Sequence, residues 1–353
     1  MSLTYAEITN QPRAWEQTLR DTGEQWRRIA TQISLDPQTH FLFVGCGTSL
    51  YIAQCAAHTF QEITGHVATA VPGSEVFLSP DSTVPRAVPV LAFVISRSGA
   101  TSEAVSALDD LNRRPHVVAT VAITCTTGTA LAARATYAVE LPHAEERSVV
   151  MTQSFTSMLL ALQTIAAIVA EDEALQAELT RLPRLLSDDL GRQERFAELL
   201  GRNTELQRFI YLGLGPNAPL AEEGALKLKE MTQTPCEAYN PLEFRHGPIS
   251  VVDPGTAVIL LQGRREEALT PAVGDDVRSH GAYLATLAPG GGPNADLALE
   301  MPADLSDIAR CVLYLPPLQL LAYHRALTVG LDPDRPRYLN QVVKLGPGRS
   351  AEC

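Results

Sequence analysis

Short apolar runs alternate along this chain with longer amphipathic stretches. The runs at 90–95 and 118–124 are almost wholly apolar, whereas 50–63 and 102–111 place apolar residues at helical spacing. Strands without polar alternation are expected where helices cover both faces of a parallel sheet. The pattern therefore predicts an α/β fold with doubly wound parallel sheets, in which ligands bind beyond the carboxyl ends of the strands.

An internal repeat organises these runs. Residues 41–49 (FLFVGCGTS) and 209–217 (FIYLGLGPN) share one form, four apolar residues followed by Gly-x-Gly and a small or polar pair. Two further pairs of apolar runs recur in the same order, 88–95 with 257–262 and 118–124 with 283–288. The chain is therefore predicted to carry two copies of one α/β unit.

The chain divides into five predicted segments. They are an N-terminal helical segment (1–34), the first α/β unit (35–171), a helical connector (172–202), the second unit (203–332) and an irregular tail (333–353). The N-terminal segment contains one amphipathic helix at 11–33. Pro183 is predicted to break the connector, because proline removes a helix hydrogen bond.

Composition excludes several classes of protein. With 353 residues, 45% apolar and 19% charged, the chain can form a large packed core, which argues against intrinsic disorder. The formal net charge of −12 disfavours nucleic acid as a partner, because an acidic surface repels a phosphate backbone. The cysteines form no C-x-x-C pair and the histidines no H-x-x-x-H, so neither a disulfide framework nor a metal site is indicated.

The sequence shows no export signal and no membrane span. Residues 1–10 lack a basic start followed by an apolar stretch, and the most apolar window, 155–170, is shorter than the ~20 residues that cross a bilayer. We therefore expect a cytoplasmic protein with no membrane partner.

Two turns between a strand and a helix carry candidate phosphate-binding residues. In the turn Gly45-Cys-Gly-Thr-Ser49 the glycines let helix N–H groups approach an anion, although a plain tight turn explains this segment equally well. The loop Ser96-Arg-Ser-Gly-Ala-Thr101 places three hydroxyls and a glycine at the start of a helix. One helix cap, contributing about 1 kcal/mol, does not explain them all, so a phosphate site is favoured. Arg97 supplies either a second phosphate contact or an unrelated surface charge.

A third hydroxyl cluster, residues 151–156, precedes an apolar helix. Thr152 is a candidate to close the same pocket. Helix capping by Thr152 or Ser154 is the alternative and explains most of this cluster.

Lysine is scarce in this chain. Lys227, Lys229 and Lys344 are the only lysines among 28 basic residues, so a lysine is expected to do what arginine cannot, such as lose its proton or form an imine. A coding bias is the alternative explanation.

Glu223, Lys227 and Glu230 fall at i, i+4 and i+7 on one face of a predicted helix. An exposed ladder of ion pairs, each contributing about 0.3–0.5 kcal/mol, would have the same spacing.

The segment 235–248 is aromatic and charged, and it is predicted to be an irregular loop. It ends in His246-Gly-Pro. Histidine can carry a proton near neutral pH, so His246 is a candidate acid or base, and a merely solvated histidine is the alternative.

Together these motifs resemble the tandem form of the sugar isomerase (SIS) domain family. They are similar to the isomerase domain of glucosamine-6-phosphate synthase and to stand-alone aminosugar-phosphate isomerases and deaminases. The resemblance implies two flavodoxin-like or Rossmann-like three-layer αβα units and covers nearly the whole chain. It rests on residues 45–49, 96–101, 223–230, 243–248 (EFRHGP), 318–324 and 334–337.

The resemblance implies a role for each motif. Glu230 is expected to be the base that moves a proton between C1 and C2, supported by Lys227 and Glu223, while His246 assists ring opening. No metal ion or other cofactor is expected, because a carboxylate suffices for proton transfer next to a carbonyl or imine. The residues expected to bind the sugar phosphate are Gly47, Thr48, Ser49, Ser96, Arg97, Ser98, Thr101 and Thr152.

The chain departs from the synthase pattern at several positions. Arg97 and Ala100 replace the Gln and Glu of the phosphate loop, and Gln153 stands where the synthase has lysine. Gln341 occupies the position of the sugar-binding lysine of the tail, which makes Lys344 the candidate catalytic amine. We expect no amidotransferase domain and therefore no glutamine-dependent synthesis.

These features lead to an expected function. We expect an isomerase/deaminase that acts on an aminohexose 6-phosphate of the glucosamine 6-phosphate type, with deamination favoured. The alternatives are a fructosamine-6-phosphate deglycase and a non-catalytic phosphosugar-binding regulator. A regulator needs the hydroxyls of the first unit but not Glu230, Lys227 and His246 together. The family also implies a homodimer in which the His246 loop serves the neighbouring subunit's site.

Overall fold

The protein contains two five-stranded sheets in which the strands are parallel, in a computed structural model that describes residues 2–342 and 344. The strands of the first sheet are β1 (His40–Gly45), β2 (Ala68–Pro72), β3 (Val90–Ile95), β4 (Val117–Thr124) and β5 (Tyr137–Glu140). Those of the second are β6 (Arg208–Gly213), β7 (Cys236–Tyr239), β8 (Thr256–Leu261), β9 (Tyr283–Pro289) and β10 (Leu297–Met301). The orders β2-β1-β3-β4-β5 and β7-β6-β8-β9-β10 correspond strand for strand.

Helices flank the sheets and confirm the predicted fold class of two αβα units. They are α1 (Leu3–Thr9), α2 (Gln11–Ala30), α3 (Thr48–Thr64), α4 (Gly73–Leu78), α5 (Pro80–Thr83), α6 (Ser102–Leu111), α7 (Ala130–Arg134), α8 (Gln153–Val169), α9 (Glu173–Gly201), α10 (Ala218–Thr232), α11 (Thr270–Ser279), α12 (Asp307–Arg310) and α13 (Leu315–Thr328). Within the described part of the chain, no helix is long and apolar enough to cross a membrane.

One apolar core joins the two units. The strands β1, β3 and β8 are buried along their whole length, which explains their unbroken apolar sequences. The largest apolar cluster contains residues of both units, and a smaller cluster lies within each of them. Helix α3 of the first unit contacts α10 of the second. This contact brings the candidate phosphate-binding turn at 45–49, hereafter the phosphate turn, beside α10, the helix that carries Glu223, Lys227 and Glu230.

The first turn of each unit has the same backbone conformation. Gly47 and Gly215 have φ angles of 55° and 56°, in the left-handed region that favours glycine. A Cβ atom on Gly45 or on Gly213 would lie 2.2 Å from a backbone oxygen four residues further on. Both turns therefore require glycine at two positions, although only the first continues with two hydroxyl residues.

Two expectations about local structure are wrong. Pro183 lies inside α9, which continues through it, because buried leucines hold this helix against its neighbours and offset the roughly 3 kcal/mol cost of an interior proline. The segment 235–248 includes a strand, β7, which pairs with β6 at the edge of the second sheet. The helix predicted at 11–33 is α2, and a short helix, α1, precedes it.

Candidate active site

The two hydroxyl-bearing turns of the first unit leave the same edge of its sheet. Strands β1 and β3 are parallel neighbours, so the turn after β1 and the loop after β3 both start at their carboxyl ends. Thr48 and Ser49 are buried in the first turn of α3, and Ser96 is buried directly after β3. Ser96 Oγ donates to Thr101 Oγ1 at 3.3 Å. Helix capping does not explain Thr101, whose side chain makes no cap hydrogen bond to α6.

The remaining residues predicted for these turns are more accessible. Gly47 is exposed immediately before α3. Ser98 is half-buried, and its Oγ accepts a hydrogen bond from the Ala100 N–H at 3.3 Å. The edge of the sheet therefore presents both hydroxyls and helix N–H groups, which suit a phosphate group.

The predicted charged face of α10 is buried. Lys227 Nζ lies 3.5 Å from Glu223 Oε1 and forms an ion pair with Glu230. The side chains of Lys227 and Glu223 are 1% and 0% exposed, which excludes an exposed ladder of ion pairs. Lys227 Nζ also donates to Thr48 Oγ1 at 3.3 Å. This bond joins the charged face of the second unit to the phosphate turn of the first.

Burial shifts the protonation of this cluster. It is the main cause that raises the pKa of Glu223 to about 8, while the charge of Lys227 opposes the rise and that of Glu230 adds to it. Burial lowers the pKa of Lys227, but Glu223 and Glu230 outweigh this effect, and the net pKa lies above the ordinary value for lysine. Lys227 therefore keeps its proton, contrary to the expectation that a rare lysine sheds it.

Arg97 is turned toward the protein rather than toward solvent. It is only 8% exposed, so the surface-charge alternative is wrong. Its guanidinium donates to the carbonyl oxygens of Ser148 at 3.4 Å, Val149 at 3.1 Å and Gln341 at 3.3 Å. Glu146 lies 3.6 Å away. Each of these bonds directs the guanidinium toward the protein interior rather than toward solvent.

Glu146 engages the third hydroxyl cluster. Its Oε1 accepts hydrogen bonds from the Thr152 N–H at 2.7 Å and from Thr152 Oγ1 at 2.6 Å, and its other oxygen accepts one from Ser154. Thr152 is fully buried and makes no side-chain cap to α8, so helix capping by Thr152 is wrong. Glu146 was not among the predicted site residues. The sequence feature that could have indicated it is the acidic pair 145–146, which lies a few residues before the hydroxyl cluster 151–156.

Among the described residues, His246 and the tail make no hydrogen bond or ion pair with Glu223, Lys227 or Glu230. His246 is exposed on a 3-10 turn, Glu243–His246, and lines an open cavity of about 600 Å3. Lys344 is exposed, whereas the Gln341 side-chain amide donates to the carbonyls of Arg147 and Ser148 at 2.9 Å each.

The cysteines in the described part of the chain show no feature of a nucleophile or metal site. The five described cysteines are free, and no group of three or more potential metal ligands occurs in the described ranges. Cys46 lies in the phosphate turn, but burial raises its pKa to about 11. It therefore remains a thiol at neutral pH.

Comparison with known proteins places this geometry in a family. The family model for the SIS domain matches residues 34–168 and 204–303. A glutamine–fructose-6-phosphate aminotransferase (isomerizing) of Methanothermobacter thermautotrophicus is 30% identical over 96% of this chain and 56% of its own length. The chain thus spans little more than half the length of that relative.

Two solved structures extend this similarity. The C-terminal domain of glucosamine-fructose-6-phosphate aminotransferase from Francisella tularensis superposes with a TM-score of 0.84 at 25% identity, over 95% of this chain and 98% of that domain. Glucosamine-6-phosphate deaminase from Thermotoga maritima gives a TM-score of 0.80 at 28% identity, over 98% of this chain and 100% of the deaminase. With the family model matching most of its length, the chain belongs to the SIS domain family.

Proposed function

We propose that this protein is an isomerase/deaminase of an aminohexose 6-phosphate, with proton transfer between C1 and C2 as its chemical step. The observation that carries this proposal is the contact of Lys227 with Thr48, which joins a charged helix face to the phosphate turn. Burying the Lys227 ammonium between Glu223 and Glu230 costs several kcal/mol in desolvation. A module that only binds a sugar phosphate has no need of this arrangement, so an enzyme is favoured over a regulator.

Glu230 is the base in the proposed mechanism. Its side chain is 19% exposed, whereas Lys227 is 1% exposed, so Glu230 is the better placed to reach a substrate. Lys227 holds the Glu230 side chain in place through their ion pair. The residues proposed to bind the phosphate are the hydroxyls at Thr48, Ser49, Ser96, Ser98 and Thr101, together with N–H groups at the start of α3.

Deamination follows from the same proton transfer. Moving the C2 proton of an open-chain 2-amino aldose to C1 produces a ketose imine, and water then hydrolyses this imine to a ketose 6-phosphate and ammonia. The step needs no oxidant or reductant. The similarity to a glucosamine-6-phosphate deaminase over 100% of the deaminase and 98% of this chain supports this variant.

The test is a substrate screen in D2O. Hexosamine 6-phosphates and fructosamine 6-phosphates are offered, and release of ammonia or amine is measured together with deuterium incorporation at C1 and C2. We expect ammonia from a hexosamine 6-phosphate. Glu230→Gln should abolish exchange while ligand affinity stays within about tenfold, since it removes a base without removing volume. The exposed Glu237 provides a matched control, Glu237→Gln.

Other outcomes of this screen would contradict the proposal. Amine release from fructosamine 6-phosphates alone would identify a deglycase. Binding of sugar phosphates without any hydrogen exchange would identify a regulator. Undiminished exchange in Glu230→Gln would eliminate Glu230 as the base.

We also propose a homodimer in which the His246 loop completes the partner's site. His246 is exposed, and in the part of the chain that the structure describes no hydrogen bond or ion pair joins it to the other catalytic candidates, as is expected of a residue used by a second subunit. Leu242, on the same loop, is 36% exposed.

A further inference from the structure

The tail forms a strap, residues 334–341, whose first end is fixed to the N-terminal helix. Asp334 accepts hydrogen bonds from Ser2 Oγ at 2.7 Å, from the N–H groups of Leu3 at 2.9 Å and Thr4 at 2.8 Å, and from Thr4 Oγ1 at 2.7 Å. These bonds satisfy N–H groups at the start of α1 that have no partner within the helix. The first end of the strap is therefore firmly held.

The second end of the strap is fixed to the loop before α8. Gln341 Nε2 donates to the carbonyls of Arg147 and Ser148, both at 2.9 Å. The N–H groups of the same two residues donate to Glu7 of α1, at 2.7 and 3.3 Å. Helix α1, the strap and this loop thus form a closed ring of contacts.

The middle of the strap has few contacts of its own. Tyr338 is 88% exposed and has a φ of 64°, which costs about 1–3 kcal/mol for a residue other than glycine. The position of the strap therefore depends on its two ends.

Arg97 connects the ring of α1, the strap and the loop before α8 to the loop 96–101, the proposed phosphate loop. Its guanidinium donates to the backbone oxygen of Gln341 at 3.3 Å and to the carbonyls of Ser148 and Val149. In sequence it stands between two serines proposed to bind the phosphate. A displacement of that loop by a bound phosphate would therefore act on the strap through the planar guanidinium of Arg97, which its three carbonyl acceptors hold in place.

We propose that Arg97 is a positioning residue that ties the strap to the phosphate loop, so that occupancy of the phosphate site and the position of the strap are coupled. Because the coupling is reciprocal, a bound phosphate stabilises the strap and a fixed strap favours the bound state. The expected change in turnover rests on the proposed function, whereas the expected change in hydrogen exchange of the strap amides does not.

The test measures hydrogen exchange of the strap amides in the full chain. Arg97→Gln and Gln341→Ala are compared with wild type and with Arg134→Ala, an exposed arginine of the first unit that pairs with Asp109. Exchange is followed without ligand, with glucosamine 6-phosphate and with inorganic phosphate. In wild type and in Arg134→Ala, ligand should slow exchange of the strap.

In Arg97→Gln we expect exchange about tenfold faster and no slowing by ligand. Gln341→Ala removes only the side-chain bonds to Arg147 and Ser148 and keeps the bond from Arg97 to the Gln341 backbone oxygen, so its exchange should be faster but still slowed by ligand. Because the coupling is reciprocal, affinity for glucosamine 6-phosphate should fall by up to about tenfold in Arg97→Gln, and kcat should fall as well. Arg97→Lys, which keeps a positive charge beside Glu146, replaces Arg97→Gln if the latter fails to fold.

Two results would overturn the proposal. One is unchanged exchange of the strap in the variants. The other is a loss of phosphate affinity of about thirtyfold or more in Arg97→Gln with the strap intact, which would make Arg97 a phosphate ligand. If wild type turns over no aminosugar phosphate, the proposed function fails, but exchange with inorganic phosphate still tests the coupling.

Discussion

At the scale of single residues, the buried carboxyl of Glu223 makes stability depend on pH. Its pKa of about 8 lies above the ordinary value of 4.5, so between these values the folded protein retains a proton that the unfolded chain releases. Stability contributed by this group is present at low pH and is lost as pH rises toward 8. The free energy of unfolding of Glu223→Gln, compared with that of wild type, should therefore increase by roughly 2–4 kcal/mol as the pH is raised from about 5 to about 9. Urea unfolding at both pH values measures this difference, and a constant difference would mean that folded Glu223 is ionised.

A second prediction for a single residue concerns Ser98 and the place where the phosphate binds. Ser98→Ala should weaken binding of a phosphorylated sugar by roughly 1–3 kcal/mol, because a charge-assisted hydrogen bond is lost. Affinity for the unphosphorylated sugar should hardly change. Calorimetric titration of both ligands measures the two effects, with the exposed Ser82→Ala as control. Equal losses for both sugars would place the phosphate elsewhere.

Residue types and spacing predicted some of these features and not others. The shared face of Glu223, Lys227 and Glu230 follows from helical periodicity, and the scarcity of lysine marked Lys227 as unusual. The bond from Lys227 to Thr48 joins residues 179 positions apart, and no local pattern encodes it. The buried position of Arg97 could not be predicted, because its acceptors are mostly backbone carbonyls, which every residue carries.

At the scale of elements, periodicity located most strands and helices, because burial on both faces leaves a continuous apolar run. It failed where tertiary contacts override local preference. Pro183 disfavours a helix locally, yet α9 is held by packing along its length. Strand β7 has only four residues, too few for a period to be recognised, and it exists through pairing with β6.

The tail supports a prediction at this scale. The proposed ring opening is aided by an amine near O1 of the sugar, and Lys344 is the lysine available in the tail. Lys344→Ala should therefore lower kcat more than Gln341→Ala, which loosens the strap but removes no amine. Steady-state kinetics on the substrate found in the screen compares the two variants. A silent Lys344→Ala would leave Lys227 as the remaining candidate amine.

At the scale of the whole molecule, the two units have different tasks. Their sheets share one strand order and their first turns share one backbone conformation. In the first unit this turn continues with Thr48 and Ser49, whereas the second has Pro216 and Asn217 at the corresponding positions. The second unit thus lacks these hydroxyls and instead supplies the charged helix α10. The proposed site therefore draws on both units, which one apolar core holds together.

The proposed homodimer supports a prediction about mixed subunits. In a two-fold dimer each subunit lends its His246 loop and receives one, so two lesions on different chains can be separated. Inactive Glu230→Gln subunits mixed with inactive His246→Ala subunits should regain activity after exchange. In a mixed dimer one site collects both lesions and the other neither. Random pairing makes half the dimers mixed, so about a quarter of the wild-type sites should be restored. Size-exclusion chromatography with differently tagged subunits verifies that mixed dimers form. If they form without activity, His246 acts within its own subunit or has no role in the reaction.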